Sequence, residues 1–253
     1  MNEGESNPIT SAFMPDLLSV NTTFFTIVGY PMSYIEFFGT VLNLLCVWLV
    51  AKNKIWNWPI GIAAVVLFFL LFYEIRLYSD MVEQAYFFVT GFWGWYIWSR
   101  RKKNRDSNKE GQLQITAGRS LELGLAAGAV LIGTITLGML MTRIHLLLPT
   151  YFLAPADYPY LDALTTVMSF VATVLMVRRK VACWYLWISV DFIGIWLYWV
   201  KGVKFISVEY VFFLVLASYG LYKWHLSLKQ RETYEKVSDR SGVREVLPTP
   251  SRT

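Results

Sequence analysis

Residues 34–61 read YIEFFGTVLNLLCVWLVAKNKIWNWPIG, and residues 160–187 read YLDALTTVMSFVATVLMVRRKVACWYLW. The two stretches are one pattern displaced by 126 residues without a gap. Glu36 falls on Asp162, Thr40 on Thr166, Lys54 on Lys180 and Trp58 on Trp184. The correspondence continues through Glu83 and Glu209 to Gly94, Tyr96 and Trp98, which meet Gly220, Tyr222 and Trp224. Between residues 34–98 and 160–224, 15 of 65 positions are identical, and many are Trp, Tyr, Gly or charged residues that chance seldom pairs. An internal repeat in an apolar chain is a common build of secondary transporters, with the ligand site between the repeats.

Composition makes lipid the solvent. The chain is 55% apolar and only 16% charged, with a mean hydropathy of +0.42, whereas soluble domains carry about 25% charged residues. Its 11 Trp suit belts at the headgroup level, where an amphipathic ring has one wet and one apolar side. The net charge of +5 sits in short runs between apolar segments, which excludes a nucleic-acid surface and reads as topology. Two cysteines, Cys46 and Cys183, give neither a disulfide framework nor metal-ligand spacing. His145 and His225 stand far apart, and the chain has no HExxH, phosphate-cradling glycine loop or nucleophile elbow. No enzyme, metal or cofactor is expected.

A helix needs roughly 17–25 largely apolar residues to cross the hydrocarbon core. Seven segments qualify: 33–51, 58–75, 81–99, 119–142, 159–177, 184–201 and 206–224. Lipid offers no water to satisfy backbone groups, so these runs are helices rather than open strands. Lys52, Lys54, Arg100–Lys103, Arg178–Lys180, Lys223 and Lys229 follow the odd-numbered spans, against Arg76, Arg143, Lys201 and Lys204 after the even ones. The positive-inside rule then places the N-terminus outside and the C-terminus in the cytoplasm. Three helices reverse the chain's direction, so a fourth between two three-helix repeats makes the repeats parallel. The expected fold is an all-α membrane protein of seven transmembrane helices, with two parallel three-helix repeats joined by a linker helix.

The expected organisation follows from those spans. Residues 1–32 form an N-terminal segment with an interfacial helix near 9–28 and no cleavable signal, since Glu3 and Glu5 stand where a basic region would be. Residues 33–99 form the first repeat, 100–158 a basic loop and the linker helix, and 159–225 the second repeat. Residues 226–253 form a polar cytoplasmic tail expected to be disordered. The linker presents Gly124, Gly128, Gly133 and Gly138, a small-residue face for close packing within the chain or against another subunit.

Charged side chains at a helix centre cost about 2.5–3.5 kcal/mol on insertion scales, so each needs a reason. Asp191 lies mid-span and shares a helical face with Trp187, Gly194 and Tyr198. That face offers a carboxylate, aromatic surface and, at Gly194, a gap for a ligand; the alternative is an acid buried for helix pairing. The repeat mates of Asp191, Trp187 and Tyr198 are Val65, Gly61 and Phe72, so this polar chemistry belongs to one repeat, as an asymmetric ligand requires. Asn43 at mid-depth is a candidate hydrogen-bond partner for the ligand. Thr40 and Thr166 are read as bonding their own backbone or joining helices, and Glu36 and Asp162 as interfacial, with gating the alternative. The third span presents Gln84, Phe88, Gly91 and Trp95 on one face, and the mates of Gln84 and Trp95 lose the amide and the indole. Gln84 suits a ligand or a wet helix end. Glu83 and Glu209 fit the favourable N-terminal end of a helix dipole. With one buried acid visible, a carboxylate relay is not expected, and proton carriage by Asp191 is the alternative to an uncoupled carrier.

Four motifs now combine. Asn57-Trp58-Pro59-Ile60-Gly61 follows a basic loop, Gly94-Trp95-Tyr96-Ile97-Trp98 closes the third span, Leu161-Asp162-Ala163-Leu164-Thr165-Thr166 opens the fifth, and Trp187-x3-Asp191-x6-Tyr198 marks the sixth. Together, over residues 33–225, they resemble the PnuC family of bacterial vitamin transporters. The resemblance implies a fold similar to that of the SWEET sugar transporters, and facilitated diffusion of nicotinamide riboside through the inner membrane. It further implies trapping by a cytoplasmic riboside kinase, a link to NAD biosynthesis, and a homotrimer surrounded by membrane lipid, with no nucleic-acid partner. The family pattern has Asn where this chain has Asp191; the two share a shape, so hydrogen bonds to ribose can survive. The riboside is a cation, and Trp95, Trp187 and Tyr198 would attract its pyridinium by cation–π interaction. Thiamine, carried by related members, and sugars on the same fold are the alternative substrates.

Overall fold

The computed structural model describes residues 18–27, 29–74, 78–103, 115–147, 158–200 and 204–241. A two-stranded antiparallel hairpin, β1 (Thr23–Ile27) and β2 (Tyr30–Ser33), precedes seven helices. These are α1 (Tyr34–Ala51), α2 (Asn57–Glu74), α3 (Tyr78–Lys103), α4 (Ser120–Leu147), α5 (Pro159–Val177), α6 (Ala182–Val200) and α7 (Lys204–Ser241). Six of them are long and apolar enough to cross a membrane. The exception is α3, whose Glu83, Gln84, tyrosines, tryptophans and glycines score poorly on a hydropathy scale although they fill space.

The helix starts and stops have local causes. Ser33 caps α1: its Oγ accepts from the Glu36 amide at 3.4 Å while Glu36 Oε2 accepts from the Ser33 amide at 2.8 Å. This reciprocal box satisfies two backbone donors that a helix end otherwise leaves open. Glu36, read from sequence as interfacial or gating, therefore serves the cap and also accepts from Tyr30 Oη at 2.6 Å. Burial, then the hydrogen bond and charge of that carboxylate, push the Tyr30 phenol above its ordinary pKa. At its other end α1 stops in a turn in which Asn53 takes φ 54° and the Lys54 amide reaches back to Leu49 O at 2.9 Å. The same turn recurs after α5, with Arg179 at φ 54° and the Lys180 amide on Leu175 O at 2.9 Å. A left-handed residue just past a helix is the usual way to satisfy its last carbonyls.

Helix α1 packs on α2 and α2 on α3; α5 packs on α6 and α6 on α7; α4 packs on α5. The two groups of three meet where α1 touches α7 and α3 touches α5. Tryptophans lock each group. Trp58 and Trp98 meet edge to face at 5.3 Å and 86°, and Trp184 and Trp224 at 5.4 Å and 90°. A Cβ at Gly94 would run into Trp58, and one at Gly220 into Trp184, so only glycine lets these indoles seat. The second indole of each pair also crosses to the other group: Trp98 Nε1 donates to Val177 O at 3.0 Å, and Trp224 Nε1 to Val50 O at 3.3 Å. Tyr86 adds a third tie, donating to Phe170 O at 3.0 Å.

Three sequence expectations are modified. The interfacial helix near 9–28 falls largely outside the described residues, and where it is described the chain turns over 18–22 and enters strand β1, because Thr23, Phe24, Phe25, Thr26 and Ile27 are strand formers and Gly29 (φ 82°) turns the hairpin. The polar tail continues α7 to Ser241, since 227–241 holds helix-compatible Lys, Arg, Glu, Gln and Leu with no Gly or Pro until Gly242. The glycines of α4 do not form one face. Gly133 and Gly138 receive Val167 and Tyr160 of α5, while Gly124 and Gly128 meet no atom within 4 Å.

Candidate functional site: a cavity between the two helix groups

A cavity of about 230 Å³ opens between the two groups, and α4 contributes nothing to its wall. Helix α6 supplies Trp184, Trp187, Asp191 and Tyr198, spaced three, four and seven apart and so on one face. Opposite stand Asn43 and Cys46 of α1 and Gly61, Val65 and Phe72 of α2. Helix α3 presents Asp80, Glu83, Gln84, Phe87 and Thr90, α5 adds Ser169 and Thr173, and α7 adds Glu209, Tyr210 and Phe213.

Five of the seven candidate residues, Asp191, Trp187, Tyr198, Asn43 and Gln84, therefore line one space. The other two do not. Phe88 and Trp95 are 39% and 38% exposed on the outer side of α3. The inward face of α3 is centred one residue earlier, on Glu83 and Phe87, with Phe87 set 6.3 Å from Trp187. Glu83, Phe87 and Gly94 are identical to Glu209, Phe213 and Gly220, but so are the exposed Val82, Val89 and Tyr96 to their mates, so repetition alone does not set this phase.

The gap expected at Gly194 is filled. A Cβ there would meet the Tyr210 ring at 2.6 Å, and Tyr210 in turn stacks on Tyr198 at 5.4 Å and 20°. Tyr198 Oη donates to Asp80 Oδ1 at 2.9 Å. Glu83 and Glu209 stand five residues into α3 and α7, beyond the first turn where the helix dipole acts. Both face the cavity instead.

The site is consequently more acidic than one visible acid suggested. Asp191 is 3% exposed and Glu209 5%, and Asp80 and Glu83 share their cavity. No Lys, Arg or His is among the described residues that line it. Four carboxyl groups between low-dielectric walls favour a cation over an anion, and the aromatic faces of Trp187, Tyr198 and Tyr210 add their quadrupoles. The arrangement suits a small cation with a flat ring, and it disfavours an anion.

A multi-pass helical bundle with a polar, aromatic cavity between two groups of apolar helices suits a carrier for a small solute. The chain belongs to the nicotinamide mononucleotide transporter family, whose model matches residues 33–226. It is 31% identical over 221 residues to the nicotinamide riboside transporter PnuC of Escherichia coli K12, covering 80% of this chain and 90% of that one. Identity is 26% over 207 residues to the riboflavin/roseoflavin transporter RibM of Streptomyces davaonensis, covering 82% and 92%. Among solved structures, the crystal structure of the vitamin B3 transporter PnuC superposes with a TM-score of 0.61 at 26% identity, covering 78% of this chain and 83% of that one. This is a membrane transporter.

Proposed function

We propose that this chain carries nicotinamide riboside down its own gradient across a bacterial inner membrane, with the N-terminus outside and the C-terminus in the cytoplasm. The observation that carries the reading is the lining of the cavity: four carboxyl groups and aromatic side chains that include Trp187, Tyr198 and Tyr210, without a described basic residue, around a cation that is itself a flat pyridinium on a polar sugar. At about 230 Å³ the cavity lies below the ~300 Å³ at which drug-sized sites begin, in keeping with a nucleoside. Stacking on Trp187 and Tyr198 holds the ring, while Asp191, Asn43 and Gln84 take the ribose hydroxyls. Riboflavin and hexoses carry no positive charge, so the same walls disfavour them; thiamine, a cation, is the rival.

The transport step follows from a three-plus-one-plus-three architecture of the kind seen in sugar carriers. The paired indoles, the twin turns at Asn53 and Arg179 and the crossed bonds of Trp98 and Trp224 support two parallel repeats with α4 as the linker. Rocking of the two groups about the ligand then opens the cavity to either side. A homotrimer, and a kinase that traps the product inside and feeds NAD biosynthesis, complete the proposal. Calorimetric titration of purified protein with nicotinamide riboside, thiamine, riboflavin and glucose tests it. Binding of the riboside alone, lost in Asp191→Ala, supports the reading; binding of another of the four in its place overturns the substrate.

A further inference from the structure

We propose that Tyr210 sets the size of the cargo: seated in the space that Gly194 leaves and stacked on Tyr198, its ring closes one end of the cavity to a flat cation wider than a single ring. The proposal rests on the reading that the cavity takes a cationic vitamin, and adds which side chain limits that vitamin's size.

The two repeats fill this level of the cavity in different ways. In the first, Phe68 and Phe72 stand one turn apart on α2 and stack at 5.8 Å and 24°. Displaced by 126 residues they fall on Gly194 and Tyr198, so the second repeat has lost one ring from the matching helix. It regains a ring from the next helix, because Gln84 of α3 falls on Tyr210 of α7. Tyr210 stacks on Tyr198 at 5.4 Å and 20°, and a Cβ at Gly194 would meet its ring at 2.6 Å. Phe68, Phe72, Tyr198 and Tyr210 all line the cavity. Each repeat thus presents one stacked ring pair, but only the second builds its pair from two helices. Loss of a ring at Gly194 with gain of a ring at Tyr210 keeps the space filled, as a wall requires.

The Tyr210 ring is held in place. Ser207, one turn before it, donates from Oγ to Ile195 O at 2.7 Å and fastens the start of α7 beside Gly194. Phe213 meets the ring edge to face at 6.1 Å and 90°. Tyr198, on which it stacks, donates to Asp80 of the first group at 2.9 Å. Toward the start of α6 the cavity meets Trp58 and Trp184, whose indoles are seated on Gly94 and Gly220. Rings packed this closely resist displacement, because overfilling a packed interior strains it. The space between them suits one aromatic ring and its sugar.

The test is calorimetric titration of the purified full chain with two ribosides that share charge and sugar and differ in the ring. One is nicotinamide riboside; the other is a quinolinium riboside, in which a second ring is fused to the pyridinium. The parent should bind the bicyclic riboside at least about tenfold more weakly, as overfilling implies. Tyr210→Ala should close that gap to within about twofold or reverse it, and Tyr210→Phe, which keeps the ring, should preserve it. Tyr210→Leu, a milder truncation, should also narrow the gap and serves if the alanine variant does not fold. A gap that persists in folded Tyr210→Ala or Tyr210→Leu protein overturns the wall and leaves the cargo reading intact. A gap that vanishes in Tyr210→Phe, or a parent that binds both ribosides equally, does the same. If the parent binds thiamine and not nicotinamide riboside, the cargo reading falls. Bicyclic binding gained on truncating Tyr210 then upholds the wall, and no gain overturns it too.

Discussion

At the scale of residues, the proposed role of Asp191 sets binding against stability. Asp191 has no described basic neighbour in the cavity, and a charge at mid-helix costs about 2.5–3.5 kcal/mol on insertion scales. Asp191→Leu should therefore unfold at the same or a higher temperature than the parent while binding nicotinamide riboside at least about tenfold more weakly, a loss of the size of one charge-assisted hydrogen bond. Thermal unfolding and calorimetry on the same preparation check the two halves of that statement. A second comparison concerns the phase of α3. Phe87 lines the cavity and abuts Trp187, whereas Phe88 points outward. Phe87→Ala should weaken ligand binding by about three- to tenfold, from one lost aromatic contact of roughly 0.5–1.5 kcal/mol, and Phe88→Ala should leave affinity within about twofold. The reverse ranking would put the inward face of α3 where the sequence alone placed it.

At the scale of elements, the helices are held by contacts that only glycine permits. Adding a methyl at Gly94 or Gly220 drives it into the Trp58 or Trp184 indole, and overpacking of this kind costs about 1–3 kcal/mol. Gly94→Ala and Gly220→Ala should each lower the unfolding temperature in detergent by several degrees, roughly as that cost implies. Gly124→Ala meets open space and improves helix propensity by up to about 1 kcal/mol, so it should leave the fold unharmed. If Gly124→Ala reduces the assembly size measured by native mass, then that face of α4 is the subunit contact. Loss of the Ser33 cap in Ser33→Ala should cost about 1 kcal/mol, read in the same unfolding experiment.

At the scale of the whole molecule, the proposed driving force is the gradient of the cargo. A carrier that works down the riboside's own gradient should continue to fill vesicles loaded with a trapping kinase when a protonophore is present. Abolition of uptake by the protonophore would remove the downhill mechanism. The crossed indole bonds from Trp98 to Val177 and from Trp224 to Val50 span the boundary between the two helix groups, so they must loosen or shift if the groups rock. Trp98→Phe and Trp224→Phe should each cost about 1 kcal/mol of stability, the net worth of one hydrogen bond. Both should change the transport rate more than the riboside affinity, because neither Trp98 nor Trp224 is among the residues that line the cavity.

The sequence by itself determined the helices and their repetition. Hydropathy and helical period are properties of contiguous residues, so α5 is found where its apolar run lies, and the twin turns at Asn53 and Arg179 follow from the shared pattern around Lys54 and Lys180. It also determined the face of α6, because Trp187, Asp191 and Tyr198 lie on a single helix at fixed spacing. Only the tertiary structure decided the rotation of α3, since that angle is set by where Gly94 receives Trp58 and where Tyr86 reaches Phe170, across 84 residues of chain. It likewise decided that Glu83 and Glu209 face the cavity rather than a helix end, that Tyr210 fills the space beside Gly194, and that the N-terminal approach is a hairpin. Each of these depends on which surfaces meet between distant segments, and that is a matter of packing rather than of local pattern.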